Sequence, residues 1–181
     1  TLNAIMRPVI QRARDPKKLR KIVGDMREQM AEHKAAAGPL DVKRLRGGLV
    51  DCEFLVHFFQ LRGVSKGGAP LAHDHPEAYS PDLGTAIPAL IRAGLLPDSF
   101  RPDYDLLTRM LTSLRLLAPC GAEPPLCAAD ALARACRAPD YAQLLDAFTK
   151  ARGRVCALWN QTFDADISNA SSNPSETEQK P

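Results

Sequence analysis

Hydrophobic positions recur along this chain with helical spacing, and no stretch shows the two-residue alternation of a half-buried strand. Six segments follow the helical pattern, separated by stretches that contain glycine or proline. They lie at about residues 16–37, 48–62, 82–93, 99–118, 128–137 and 140–163. The sequence therefore predicts an all-α fold, a bundle of about six helices formed by one domain over residues 1–163.

The second segment, residues 48–62, is apolar nearly all round the helical wheel, so it is predicted to be the buried central helix and to stop at Gly63. Residues 63–79, rich in glycine, histidine and proline, are predicted to be a loop and the most mobile segment. In the first helix, apolar residues three and four apart predict one buried stripe. Its members are Leu19, Ile22, Val23, Met26 and Met30.

Composition narrows the class of protein only a little. The chain has 181 residues, 45% of them hydrophobic, which is enough for a core, and its formal net charge of +3 is too small to indicate nucleic acid as a partner. No apolar run is long enough to cross a membrane, and a secretory signal pattern is missing at the start, so we expect a cytoplasmic protein. Residues 164–181 have almost no large apolar side chain and are predicted to form a disordered tail.

Three patterns invite a metal-site interpretation, and each has a plainer explanation. The five cysteines lack the short paired spacing of a zinc site and are expected to be small buried residues. His73-Asp74-His75 is expected to be solvated loop sequence, because three adjacent side chains do not converge easily on one ion. Asp164-Ala165-Asp166 lies in the predicted tail. We therefore predict no metal site.

Residues 41–54 combine three cations and a Gly-Gly pair with three carboxylates, two of which, Asp51 and Glu53, lie at the start of the central helix. The unpaired N–H groups of a helix N-terminus attract phosphate, and Gly47-Gly48 would let the backbone turn sharply into it. Lys43 and Arg46 are the candidate phosphate contacts. Asp51 and Glu53 would orient these cations or approach a metal-bound nucleotide.

A plainer interpretation of the same residues is purely structural. Asp51 would complement the helix N-terminus, and Glu53 would pair with His57 one turn further on. The cations would then be solvated loop residues.

The same stretch carries a family resemblance. Asp41-Val42-Lys43, Gly47-Gly48-Leu49 and Asp51-Cys52-Glu53-Phe54 resemble a motif of the bacterial bifunctional glutamine synthetase adenylyltransferase/adenylyl-removing enzymes. Asp25 to Met30 is similar to that family's Met-Arg-x-x-Met helix, and Leu90 to Leu96 to its helix ending in Gly-Leu-Leu.

The resemblance implies a C-terminal helical domain that follows a nucleotidyltransferase domain, helps to form or regulate its ATP-binding cleft, and belongs to the half that transfers AMP. In this family one half adds AMP to glutamine synthetase with ATP and Mg²⁺, the other removes it by phosphorolysis, and glutamine and the PII protein set the balance in nitrogen metabolism. The catalytic module is not recognisable here, so we expect an inactive fragment of an enzyme, with no catalytic residue of its own. Its partners would be the nucleotidyltransferase domain, glutamine synthetase and PII.

Two other functions remain open from the residues alone. One is a stand-alone helical module that binds a protein or a phosphorylated ligand. The other is the helical domain of a related uridylyltransferase that acts on PII.

Overall fold

The all-α prediction is confirmed. A computed structural model describes residues 8–12, 14–118 and 123–164, and within these ranges no strand forms. Two strand-like residues, Val64 and Pro70, make an isolated bridge. The helices of ten residues or more are α1 Pro16–His33, α2 Leu49–Arg62, α3 Leu83–Arg92, α4 Phe100–Leu117, α5 Leu126–Ala135 and α6 Tyr141–Phe163. The predicted tail, except for Asp164, lies outside the described residues.

Helix α1 begins as predicted, and the prediction of its buried face is confirmed only in part. Asp15 caps it by accepting the backbone N–H of Lys17 at 2.9 Å. Ile22 and Met26, expected in the buried stripe, are 57% and 49% exposed. Leu19 and Val23 are buried as predicted, and the third buried position, one helical turn further on, is Arg27. The helix is rotated because Arg27 points inward to a buried carboxylate on α2.

Helix α2 is the central helix, as its all-round apolar pattern predicted. It contacts α1, α3, α4 and α6, and nine of its residues are buried. It ends at Gly63, which adopts a left-handed conformation at φ 73° and donates its N–H to the Phe59 carbonyl at 3.1 Å. A glycine meets this requirement without the steric cost of a Cβ.

Residues 63–79 are more ordered than the predicted loop. They form a short α-helix, Leu71–Asp74, and a 3₁₀-helix, Pro76–Tyr79, whose residues Leu71 and Ala78 are fully buried. Gln60 of α2 donates from its side-chain amide to the carbonyls of Ala78 at 2.7 Å and Ser80 at 3.3 Å. The segment therefore packs against the core and is hydrogen-bonded to it, although its composition predicted a loop.

The remaining helices complete the bundle. Asp82 caps α3 by accepting the N–H of Thr85 at 3.0 Å, and Gly94 closes it at φ 71°. Helix α5 packs on α4 and α6, and it lies two residues earlier than predicted. Helices α4 and α6 are joined by Asp103, which is 3% exposed and accepts two hydrogen bonds from Arg154 at 2.8 and 2.5 Å. None of the described helices is both long and apolar enough to span a bilayer.

The cysteine prediction is confirmed for some positions only. Cys52 and Cys136 are buried and Cys156 is half-buried, whereas Cys127 is exposed. Cys127 lies in the first turn of α5 beside Leu126, which is 95% exposed, so this end of the helix faces away from the core. Cys120 lies outside the described residues.

Candidate functional site: a basic cleft between α1 and α6

The Gly-Gly pair before α2 is explained by close packing. A Cβ on Gly47, where φ is +75°, would lie 2.2 Å from the carbonyl oxygen of Arg152 on α6. A Cβ on Gly48 would lie 2.4 Å from the carbonyl oxygen of Val42. Both distances are far inside van der Waals contact. The pair therefore lets the loop at residues 41–48 fold against itself and against α6.

The N-terminus of α2 is not the open phosphate site that the sequence predicted. The N–H of Leu49 donates to the Val42 carbonyl at 3.0 Å, and that of Val50 to the Lys43 carbonyl at 3.1 Å. The loop itself thus satisfies the N–H groups that would otherwise face an anion. This bonding follows from the tight fold of the loop around Gly48.

Asp51, in the first turn of α2, is completely buried and accepts hydrogen bonds from α1 and from this loop. One carboxylate oxygen accepts the Nε–H of Arg27, and the other accepts the backbone N–H of Gly47 at 2.5 Å. Arg27 is only 3% exposed and also donates to the Arg44 carbonyl at 3.1 Å. Burial raises the pKa of the neighbouring Cys52 thiol, and the Asp51 carboxylate raises it further.

Arg46 is the predicted site residue that reaches this buried pair from solvent. Its Nη1 lies 3.9 Å from Asp51, and its guanidinium carbon lies 5.1 Å from the centre of the Trp159 ring. The Arg46 backbone carbonyl accepts a hydrogen bond from Arg152 Nε at 3.0 Å. Because 49% of its side chain remains exposed, the oriented guanidinium keeps donors available to a ligand.

Arg46 lies at the edge of a cavity of about 790 Å³ between α1 and α6, which we call the basic cleft. Its charged lining holds five cations and three carboxylates. These are Lys17, Arg20, Lys21, Arg27, Arg46, Asp25, Glu28 and Asp164. Phe163, which is half-buried, supplies aromatic surface and packs on the buried Trp159, with ring centres 4.3 Å apart. The surplus of cations in this lining suits an anionic ligand.

The other two predicted site residues lie elsewhere. Lys43 is exposed and lines a different cavity of about 360 Å³, together with Leu40, Arg44 and Arg115. Glu53 is half-buried, and within the described part of the chain no ion pair joins it to His57. Burial raises the pKa of the Tyr104 phenol, and the nearby Glu53 carboxylate contributes to the increase. The structure therefore brings Arg46 and Asp51 together and leaves Lys43 and Glu53 apart.

Sequence reasoning missed two members of the cleft. Arg27 lies in the segment that resembles the family's Met-Arg-x-x-Met helix. Only the hydrophobic residues around it were predicted to be buried. Trp159 lies within the predicted last helix, yet nothing in the local pattern indicated that Arg46, more than a hundred residues earlier, would stack on it. Such long-range pairs depend on how α1, α2 and α6 cross.

The described residues bring no group of three or more histidine, cysteine, aspartate or glutamate side chains into a metal-binding arrangement. His73 and Asp74 contact each other at 2.6 Å with the imidazole 86% exposed. The second carboxylate of the Asp164-x-Asp166 pair lies outside the described residues.

Comparison with known proteins tests the family resemblance. The chain is 29% identical over 147 residues to the bifunctional glutamine synthetase adenylyltransferase/adenylyl-removing enzyme of Bradyrhizobium diazoefficiens, covering 77% of this chain and 14% of that protein. A Rhodopseudomonas palustris enzyme of the same name is 27% identical over 167 residues, covering 88% of this chain and 16% of that protein. The chain is thus similar to a segment of these adenylyltransferases. The resemblance read from its motifs is confirmed.

A Methylococcus capsulatus adenylyltransferase is 42% identical over a shorter stretch of 66 residues, 35% of this chain and 7% of that protein. The chain spans only about one sixth of the length of the curated adenylyltransferases that it matches along most of its own length. No family model matches the chain, and no solved structure matches it significantly. The stand-alone binding module and the uridylyltransferase domain are not favoured by these relatives.

Proposed function

We propose that this chain is the C-terminal helical accessory domain of a bifunctional glutamine synthetase adenylyltransferase/adenylyl-removing enzyme, and that its basic cleft faces the nucleotide at the boundary with the catalytic domain. The observation that carries the proposal is the placement of Arg46. Its guanidinium is oriented by Asp51 and Trp159, and half of it stays open to the cleft.

This geometry suits recognition of a phosphate. A guanidinium presents several donors in a fixed plane, so an arginine held in one orientation binds a phosphate through two parallel hydrogen bonds. Asp51 is completely buried and each of its oxygens already accepts a hydrogen bond, from Arg27 and from Gly47, so its role in this proposal is to orient Arg46 and not to touch the nucleotide. Lys17, at the same cleft, adds positive charge that attracts an anion, whereas Lys21 is already paired with Asp25 at 3.0 Å.

The chemistry would be supplied by the catalytic domain. The residues described here do not form a metal site, so the Mg²⁺ that the family uses with ATP would be held by the nucleotidyltransferase domain. The accessory domain would contribute phosphate contacts and shield the nucleotide from water. Glutamine synthetase and PII would be partners of the whole enzyme, with the helices transmitting part of the regulatory signal to the cleft.

The test is adenylylation of glutamine synthetase by the full-length enzyme carrying Arg46→Ala. We expect kcat/KM for ATP to fall by about tenfold, the loss of roughly one charged hydrogen bond, with the helix content unchanged. Arg46→Lys keeps the charge but lacks the planar fork, so it should recover only part of the activity. Arg92→Ala is the matched control, because Arg92 is a surface arginine on α3, 3.9 Å from Glu77.

Lys43→Ala tests the second predicted phosphate contact separately, since Lys43 lines another cavity. Unchanged activity in Arg46→Ala would refute the role of the basic cleft. If Lys43→Ala alone reduced activity, the nucleotide would have to meet the Lys43 side of the loop instead. Equal losses in Arg46→Ala and Arg92→Ala would indicate only a general effect of positive charge.

A further inference from the structure

A second charged cavity lies on the other side of α6. It is a groove of about 530 Å³ between α4, the connection from α5 to α6, and the first half of α6, which we call the α4–α6 groove. Its floor is apolar and includes Leu106 and Leu144. Its charged lining consists of Asp103, Arg109, Arg137, Asp146, Lys150 and Arg154. Arg46 does not line this groove, so it is separate from the basic cleft.

Both carboxylates of the groove already have cationic partners. Arg154 donates two hydrogen bonds to Asp103, and Lys150 donates to Asp146 at 2.7 Å. These two ion pairs cancel in charge. Arg109 and Arg137 are left without a carboxylate partner among the described residues, so the groove has a formal charge of +2.

Arg109 carries a buried hydrogen-bond donor that has no acceptor among the described residues. This donor is the side-chain Nε. A buried N–H without an acceptor is uncommon in folded proteins, and a bound anion would supply the acceptor that this donor lacks. Burial raises the pKa of the adjoining Cys136 thiol, and the nearby Arg109 guanidinium opposes that increase.

Arg137 occupies a backbone position that normally takes glycine. It is left-handed, at φ 62°, immediately after α5, where the Ala138 N–H closes the helix on the Ala133 carbonyl at 2.9 Å. A glycine would adopt this conformation at no steric cost. Arginine at this position carries a cost in backbone strain and places an exposed guanidinium on the groove.

We propose that the α4–α6 groove binds a phosphate-class dianion through the side chains of Arg109 and Arg137. Two unpaired guanidiniums match the charge of a dianion, whereas a single carboxylate would neutralise only one of them. The apolar floor would accommodate the carbon skeleton of a phosphorylated ligand. This site is independent of the nucleotide role proposed for Arg46.

The experiment titrates the 181-residue chain with inorganic phosphate and, separately, with acetate, at pH 7.5 and constant ionic strength. Binding is followed by calorimetry and by the NMR signals of the arginine Nε–H groups. Phosphate should shift the Arg109 signal and bind more tightly than acetate. Arg109→Gln and Arg137→Gln should each weaken phosphate about tenfold, the loss of roughly one charge-assisted hydrogen bond.

Two further variants separate binding from folding. Arg137→Gly removes the guanidinium and relieves the left-handed strain, so it should weaken phosphate binding while leaving the protein at least as stable to urea. Arg134→Gln removes an exposed charge from α5 outside the groove and should change neither property. Unaltered phosphate affinity in Arg109→Gln and Arg137→Gly would overturn the proposal. So would equal weakening by Arg134→Gln, or loss of the phosphate effect in Arg46→Gln alone, which would place the anion in the basic cleft.

Discussion

At the residue scale, the carboxylate of Asp51 determines how the loop at residues 41–48 sits on the bundle. It is fully buried, and its two oxygens accept from Arg27 on α1 and from the backbone of Gly47. The same carboxylate lies 3.9 Å from Arg46, the exposed cation at the cleft edge. A single side chain therefore joins a helix, a loop and the candidate site.

Asp51→Ala should destabilise the fold by about 3–5 kcal/mol, because it leaves the buried Arg27 guanidinium without its counter-charge. Urea unfolding followed by circular dichroism measures this loss. Asp25→Ala is the control, since the Lys21–Asp25 pair is exposed and its removal should cost no more than about 1 kcal/mol. A loss at Asp51 as small as that at Asp25 would contradict the structural role given to the buried pair.

Local signals in the sequence were sufficient for residues that act on their own backbone. The helix end at Gly63 was predicted correctly, because a left-handed helix end has a short-range residue preference; the cap at Asp15 and the helix end at Gly94 follow local preferences of the same kind. Arg27 could not be placed this way. An arginine between Met26 and Glu28 looks solvated until the helix is known to face a buried carboxylate, and that carboxylate is supplied by another element.

At the element scale, the segment at residues 63–79 shows how a side chain orders a stretch that composition describes as a loop. Its two short helices bury Leu71 and Ala78, and the Gln60 amide holds its end through the carbonyls of Ala78 and Ser80. Helix ends at α2 to α6 were predicted within about two residues. The internal order of this segment was not, because its anchor comes from α2.

Gln60→Ala should release the end of this segment. Loss of the two hydrogen bonds leaves buried carbonyls unpaired, which costs about 1–3 kcal/mol. Hydrogen exchange read by mass spectrometry should then speed up in residues 71–80 more than in α2 or α4. Gln161→Ala, at an exposed position on α6, is the control. Equal protection of residues 71–80 in the variant and the parent would show that the apolar contacts suffice.

At the scale of the whole molecule, one hydrophobic core runs through all six helices. Helix α2 contacts four of them, and α5 joins the same core through α4 and α6. Counting apolar positions predicted the number of helices and the central place of α2. The crossing of α1 over α6 forms the basic cleft. It could not be predicted from that pattern, because it is set by packing among residues distant in the sequence.

A continuous core of this kind should unfold as one unit. The single tryptophan, Trp159, is 3% exposed near the end of α6, so its fluorescence reports on one side of the bundle, whereas far-ultraviolet circular dichroism reports on all the helices. The two urea transitions should have the same midpoint and slope. Separated midpoints would show that α4, α5 and the first half of α6 form an independently stable unit.

The packing around Gly47 limits how this chain can diverge. The backbone there rests against the carbonyl of Arg152 and the sulfur of Cys156, with room for a hydrogen atom and nothing larger. Gly68 has a similar left-handed backbone at φ 85° but open space around it, so an asparagine can replace it at modest cost. Two glycines that look alike in the sequence thus differ in how readily they can be substituted. Descendants of this protein can vary at position 68, whereas a change at position 47 requires α6 to move first.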